Sequence, residues 1–443
     1  MYRNLIKKFM QRSLAFLLIL VLTPAVFWAS PLQSGPRRAL VFTHVNVIDP
    51  AGTPLRREMT VIIRDERIVA LGKTGRIAIP RNSEVIDATG KFMIPGLWDM
   101  HAHLGTDDFD KQGHLPLFVA NGVTGIRIMD GDPAHHRWRD EITSGSLIGP
   151  RMVIGSAIIG QSPIAPAAAR AAVRQAKNEH ADFVKVHEAL SREAYFAIID
   201  EARKEKLTVA GHVPLALTAV EVATVGQKSI EHFTGLEQAK SRKRVALALA
   251  ALLRQYHTWL CPTLIMRLSY ASLDDPKLPQ DPRLKYVKPS WVRRWLRTSA
   301  DAAKTPAAEW QSRRALVQQE KELVGLMYKG RVGILAGTDE ISPFCAPGFS
   351  LHDELALFVE AGLTPMQALQ TATLNPARFL NRQRDLGTIA PGKLADLVLL
   401  DANPLVDIRN TQKINSVVVN GRLLTRKALD DTLSKIAAAA KMN

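Results

Sequence analysis

PGLWDMHAHL, from Pro95 to Leu104, places two histidines one residue apart directly after an apolar run. Residues two apart share a face on a strand, whereas a helix turns them roughly 200° apart, so His101 and His103 converge only if this stretch is a strand. The overlapping KFMIPGLWDM is mostly apolar and punctuated by Pro95 and Gly96, which suits a short strand buried on both faces. Two imidazoles converging at its end could share a metal ion, although an HxH pair alone more often marks solvated polar residues.

Outward from this point the chain repeats the same kind of strand. VTGIRIMD, RMVIGSAIIG, DFVKVHE, LTVAGHVP, SIEHF, TWLCPTL and GILAGTDE follow in order, with helical text between most of them, such as SREAYFAIIDEARKEK from Ser191 to Lys206. Eight strands alternating with helices predict an α/β fold, a (β/α)8 TIM-like barrel. ALVFTHVNVID and MTVIIRDERIVALG before it, and KLADLVLLD and INSVVVNGRLL after it, read as further β structure. Neither group has enough strands to stand alone, so residues 36–93 and 383–425 are expected to form one composite β-sandwich domain. The barrel is expected to span 94–382 with an insertion at 265–332, and residues 426–443 to form a helical tail. In the insertion, LKYVKPSWVRRWLR mixes aromatic and basic residues. It reads either as a cover for the site or a membrane contact, or as a solvated helix packing its tryptophans inward.

With 47% hydrophobic and 23% charged residues, the 443-residue chain is neither mainly disordered nor fibrous. Its net charge of +16 is spread widely with no RNA- or DNA-binding motif beside it, so no nucleic-acid partner is expected. The charge favours anionic surroundings, such as a membrane surface. MYRNLIKKFMQRSLAFLLILVLTPAVFWAS pairs a basic leader with an apolar run from Leu14 to Ala29, the pattern of a secretory signal. Phe27 or Trp28 would stand where cleavage prefers a small residue, so residues 1–35 read as a signal peptide or an uncleaved membrane anchor. The protein is accordingly expected to be exported, periplasmic or secreted. Two cysteines, Cys261 and Cys345, cannot make a disulfide framework, though export would permit one bridge. No GxxxxGK[ST], GxGxxG, GxSxG or HExxH motif points to another chemistry.

Barrel enzymes carry their chemistry at the C-terminal ends of the strands. There the first strand offers His101 and His103, the fourth Lys185, the fifth His212, the sixth His232 and the eighth Asp339. Singly, each has a structural reading: a core histidine bonded to a carbonyl, a lysine reaching past the rim, an aspartate capping the next helix. As an ordered set they resemble the amidohydrolase superfamily, in the style of its imidazolonepropionase-like and prolidase-like groups. LGTIAPGKLADLVLLDANPL and HDELALFVEAGLTPMQALQTATLNPARFL resemble its C-terminal half, so the likeness runs from about Ala39 to Arg422.

The resemblance implies a binuclear centre of two divalent ions, usually zinc, bridged by a carbamate on Lys185, with His101, His103 and Asp339 on one ion and His212 and His232 on the other. Burial lowers a lysine's pKa and so supplies the neutral amine that carbon dioxide needs. A metal-bridging hydroxide is then the implied nucleophile, and Asp339 is both ligand and general acid/base. Asp99 reads as a carboxylate orienting a ligand histidine or as a buried structural group. His187, two beyond Lys185, and His352, at the start of the helix after the eighth strand, are the substrate-contact candidates, while His257 is expected at the opposite end of the barrel. Cys261 and Cys345 fall on neighbouring barrel positions, and a disulfide between them is an expectation. The function implied is an exported hydrolase cleaving a C–N amide bond of a small-molecule substrate, a dipeptide or N-acyl amino acid. The alternatives are an ester, lactone or phosphotriester hydrolase on the same site, and a non-catalytic binding protein.

Overall fold

The computed structural model describes residues 38–52 and 55–442, so the expected signal or anchor segment lies outside the described residues. The first strands are β1 (Leu40–Val47), β2 (Arg56–Arg64), β3 (Arg67–Lys73), β4 (Glu84–Asp87) and β5 (Phe92–Pro95). Seven follow in the middle of the chain: β6 (Leu97–Ala102), β7 (Val123–Ile128), β8 (Arg151–Ile154), β9 (Phe183–Val186), β10 (Thr208–Gly211), β11 (Ser229–Glu231) and β12 (Trp259–Cys261). The last are β13 (Leu397–Leu400), β14 (Ile414–Val419) and β15 (Arg422–Thr425).

Strands from both chain ends share one sheet, in the order β15-β14-β13-β5-β1-β2-β3, with β4 beside β1. The ends meet where β5 pairs antiparallel with β13, Met93 opposite Leu399 and Ile94 opposite Val398. A bridge from Arg67 to Leu394 ties β3 back to the segment leading into β13. The sheet thus curls around an apolar core that includes Phe42, Val61, Met93, Leu397 and Val418.

The middle strands form a parallel barrel. β6-β7-β8 and β9-β10-β11-β12 are ladders, joined by a bridge from Gly155 to Phe183. A bridge from Leu260 to Ile334 adds an eighth, extended segment. Its return to β6 closes the cycle: the Met100 amide donates to the Ala336 carbonyl and the Asp339 amide to the His101 carbonyl, both at 2.8 Å. This seam is no regular ladder, because Trp98 donates to Ala372 and Ala336 to Thr371, so the end of the helix Pro365–Thr371 is wedged between the two strands. Gly337 is required at the seam, since a Cβ there would lie 2.5 Å from Cys261 Sγ and 2.8 Å from the His101 amide nitrogen. Every residue of β6 is buried, as expected for a strand covered on both faces. Outside the barrel, Ile126, Val184, Ile230 and Leu260 belong to one core with apolar residues of the surrounding helices.

The insertion folds over the end of the barrel that carries Asp339. Its helix Pro289–Ala302 buries Trp291 and Trp295 in a cluster with Val287, Trp310 and Phe344, so these tryptophans pack inward. Arg294 and the Trp295 indole both donate to the Ile341 carbonyl, at 3.1 and 3.4 Å, two residues beyond Asp339. Among the described residues no helix is long and apolar enough to cross a membrane.

Candidate metal centre

The C-terminal ends of β6, β9, β10, β11 and the eighth segment bring His101, His103, Lys185, His187, His212, His232 and Asp339 into one cluster. The imidazoles form a continuous series: ring centroids lie 5.4 Å apart from His103 to His101, 4.6 Å from His101 to His232, 4.8 Å from His232 to His212 and 4.2 Å from His212 to His187. Asp339 Oδ1 lies 3.1 Å from His103 Nε2 and 3.6 Å from His101 Nε2. Those separations are close to what two ligands of one ion with bonds of about 2.0–2.2 Å show, and one ligand atom from each of the three falls within 4.8 Å of the others. Lys185 is buried on β9, and its charge acts on His101, His212 and His232. His232, Thr263 and Asp339 all hold left-handed backbone, with φ of 59°, 49° and 53°. This conformation costs a non-glycine residue about 1–2 kcal/mol, and such strain concentrates at functional sites.

Three of the imidazoles are held through Nδ1. His101 Nδ1 lies 2.8 Å from Glu231, His212 Nδ1 3.1 Å from Glu188 and His232 Nδ1 2.6 Å from Thr263 Oγ1. The Thr263 hydroxyl donates its own proton to the Pro262 carbonyl, so it accepts from His232 and leaves Nε2 as the lone-pair nitrogen. A second partner of this kind is the usual way in which a protein orients a metal-binding imidazole.

Glu231 is itself clamped: Arg127 donates to its two oxygens at 2.8 and 2.9 Å, and Ser229 donates to one of them. Burial would raise the Glu231 pKa, but Arg127 and His101 outweigh it and keep the carboxyl well below the usual range. Burial and the Lys185 charge pull His101 down to about 4 and also lower His212, while burial and the neighbouring His101 lower His232. Burial lowers Lys185 to about 8. Asp339 stays well below the carboxylate range, since its bond with His103 and nearby imidazole charge overcome desolvation. His101, His212 and His232 thus present neutral nitrogens near the ionised Asp339 carboxylate, the donor chemistry of a divalent cation. His101 Nε2 supports this fit, because it is buried with no hydrogen-bond partner, and leaving such an atom unpaired costs about 1–3 kcal/mol.

Asp99 does not reach a histidine ring. Its Oδ1 accepts from the amides of His101 and Thr338, and its Oδ2 from the Thr338 hydroxyl at 2.6 Å, so it pins the barrel seam. Glu231 takes the orienting role instead. The inward alternation of SIEHF, with Ser229 and Glu231 on one face, carried a signal for it. Arg127, in the apolar VTGIRIMD, signalled a buried partner without naming it. Glu188 and Thr263 follow their strands with no distinguishing pattern.

Two expectations need correction. His352 is not at the site: its Nδ1 lies 2.9 Å from Thr411 Oγ1 and its Nε2 3.0 Å from the Asn121 carbonyl, so both nitrogens are spent in structural contacts. Cys261 and Cys345 are free, buried thiols. Cys261 lies at the end of β12 opposite Glu231, whereas Cys345 follows the tight turn after Asp339, its amide on the Ser342 carbonyl. Adjacent strands did not bring the two to one depth. His187 does reach the cluster, and its Nδ1 is buried without a partner.

A family model described as Amidohydrolase family matches residues 92–424. Ochratoxinase of Aspergillus niger is 23% identical over 436 aligned residues, covering 83% of this chain and 82% of that one. A local match of 53 residues is 49% identical to adenine deaminase 2 of Jannaschia sp. (strain CCS1), covering 12% of this chain and 8% of that one. Among solved structures, a Xaa-Pro dipeptidase with bound methionine in its active site superposes with a TM-score of 0.67 at 22% identity, covering 87% of this chain and all of that one.

Proposed function

This chain belongs to the amidohydrolase family, and we propose that it is an exported enzyme that hydrolyses the C–N amide bond of a dipeptide or N-acyl amino acid. The observation that carries the reading is the ordered donor set at one barrel mouth, with three imidazoles held at Nδ1 and His101 Nε2 left without a partner. In it, His101, His103 and Asp339 would hold one divalent ion and His212 and His232 a second, zinc in both cases, with Lys185 as the bridge. Such a pair supplies water activation at neutral pH and polarisation of the scissile carbonyl.

The chain's own groups do the rest. The drop of Lys185 from 10.5 to about 8 raises its neutral fraction at pH 7 by about 300-fold, which favours carbamylation. Asp339, ionised at neutral pH, takes a proton from the attacking water and returns it to the leaving nitrogen. His187, stacked on His212 with Nδ1 unpartnered, contacts the substrate. The Xaa-Pro dipeptidase likeness favours a dipeptide, and the basic leader with its apolar run favours export.

The test is elemental analysis of purified protein beside Lys185→Ala, followed by matched amide and ester substrates. The reading expects about two equivalents of metal per chain, falling sharply in the variant, and turnover of the amide. One equivalent unchanged by the substitution, or an ester preference of orders of magnitude, would sink it. N-terminal sequencing of protein from cell fractions tests export.

A further inference from the structure

A second cavity lies at the opposite, N-terminal end of the barrel and takes no part in the chemistry above. Its volume is about 690 Å³, within the roughly 300–1,000 Å³ of small-molecule sites. Arg254, His257, Lys329, Arg331 and Arg378 line it, and no aspartate or glutamate does. Among the described residues these five side chains have no ion-pair or hydrogen-bond partner. The physical reason is their place in the fold. The helices Lys243–Gln255, Ala307–Lys329 and Leu374–Phe379 all end here, with Arg254, Lys329 and Arg378 in their last turns.

Cations in last turns have a structural use, since they offset the negative end of a helix dipole. The magnitudes do not balance here. Three helix ends present about −0.5 charge each, against four full charges on Arg254, Lys329, Arg331 and Arg378 even with His257 neutral, which leaves roughly +2.5 unanswered. Arg331 in particular sits past the helix in left-handed backbone, φ 62°. Trp259 and Tyr328 complete a wall with aromatic surface.

We propose that this cavity binds a phosphate or sulfate ester, the anionic head lying among Arg254, Arg331 and Arg378 and the organic body against Trp259 and Tyr328. A bare inorganic anion would fill only a small part of the volume. The head is held by charge-assisted hydrogen bonds, for which arginine's planar fork is suited. The site is independent of the reaction assigned to the metal centre. Its source is either a soluble ester or the headgroup of an anionic lipid.

The experiment is calorimetric titration of the full-length, metal-loaded protein with phenyl phosphate in dilute salt, beside Arg331→Asn/Arg378→Gln and, separately, Asp339→Asn. Asparagine is chosen at 331 because it tolerates the left-handed backbone. The expected result is saturable binding of one equivalent, weakened about tenfold or more in the double variant and unchanged in Asp339→Asn. No saturable binding, equal binding by the double variant, or loss in Asp339→Asn would overturn the proposal, the last by assigning the anion to the metals. Sedimentation with phosphatidylglycerol vesicles separates the sources. Capture that the double variant loses identifies a lipid headgroup, and phenyl phosphate binding without capture identifies a soluble ester.

Discussion

Replacing Glu231 by glutamine tests the support beneath the metal centre. Glu231 is fully buried, receives two hydrogen bonds from Arg127 at 2.8 and 2.9 Å and holds His101 Nδ1 at 2.8 Å. Glutamine keeps the shape but removes the charge, and turns an amide N–H₂ toward donors. Arg127 is then buried without a counter-charge, a situation that costs about 3–5 kcal/mol. With unfolding entropy of about 2.1 cal/mol/K per residue and about 400 described residues, Tm should fall by about 4–6 °C. His101 also loses the acceptor that fixes its tautomer, so metal affinity should fall about 10–100-fold. Differential scanning calorimetry and metal-retention dialysis read the two effects separately. The double variant Arg127→Met/Glu231→Leu distinguishes them further, because apolar replacement of a whole buried pair is often neutral. It should recover most of the stability and none of the metal affinity. An unchanged Tm in Glu231→Gln would refute the coupled-pair argument, and restored metal affinity in the double variant would show that His101 needs no carboxylate.

Three further outcomes follow from the same structure. His101 is pulled from 6.5 to about 4 by burial and by Lys185, so between those values the unfolded chain holds a proton that the fold refuses. Its contribution is complete above pH 6.5 and lost as pH falls toward 4, about 3 kcal/mol in all. Buried Asp99 and Glu354, raised to about 7 and about 8, act in the opposite sense, so the readout is the difference in urea-unfolding free energy between metal-stripped wild type and His101→Gln. That difference should change by about the same amount between pH 7.5 and 4.5, and a pH-independent difference would contradict it. His352→Leu leaves Thr411 and the Asn121 carbonyl without their ring partner and should cost about 1–3 kcal/mol while kcat/KM stays within about twofold, whereas a raised KM with unchanged Tm would return His352 to the substrate. Because both cysteines are free and buried, a thiol reagent should find two thiols in denatured, unreduced protein and almost none in the native state; none after denaturation would mean a disulfide.

The strands and their order were readable in the sequence because a barrel imposes a local rule, short apolar strands separated by helical text. The donor residues were readable because strand ends mark the one rim where such a fold exposes chemistry. Each of the seven side chains found in the cluster could therefore be named from its place at a strand end. His352 failed because the same rule says nothing about which way a residue on the following helix turns. The cysteines failed because neighbouring strands share a direction without sharing a depth. Glu231, Arg127, Glu188 and Thr263 show the remaining limit: a hydrogen-bond partner is chosen by three-dimensional approach. Arg127 meets Glu231 across 104 residues of chain, and the Asp339 amide meets the His101 carbonyl across the barrel seam. The sequence by itself determined which residue types stand at each strand end. Only the tertiary structure decided that His101, His212 and His232 spend Nδ1 on a partner and leave Nε2 for a ligand, because that choice depends on contacts between segments apart in the chain.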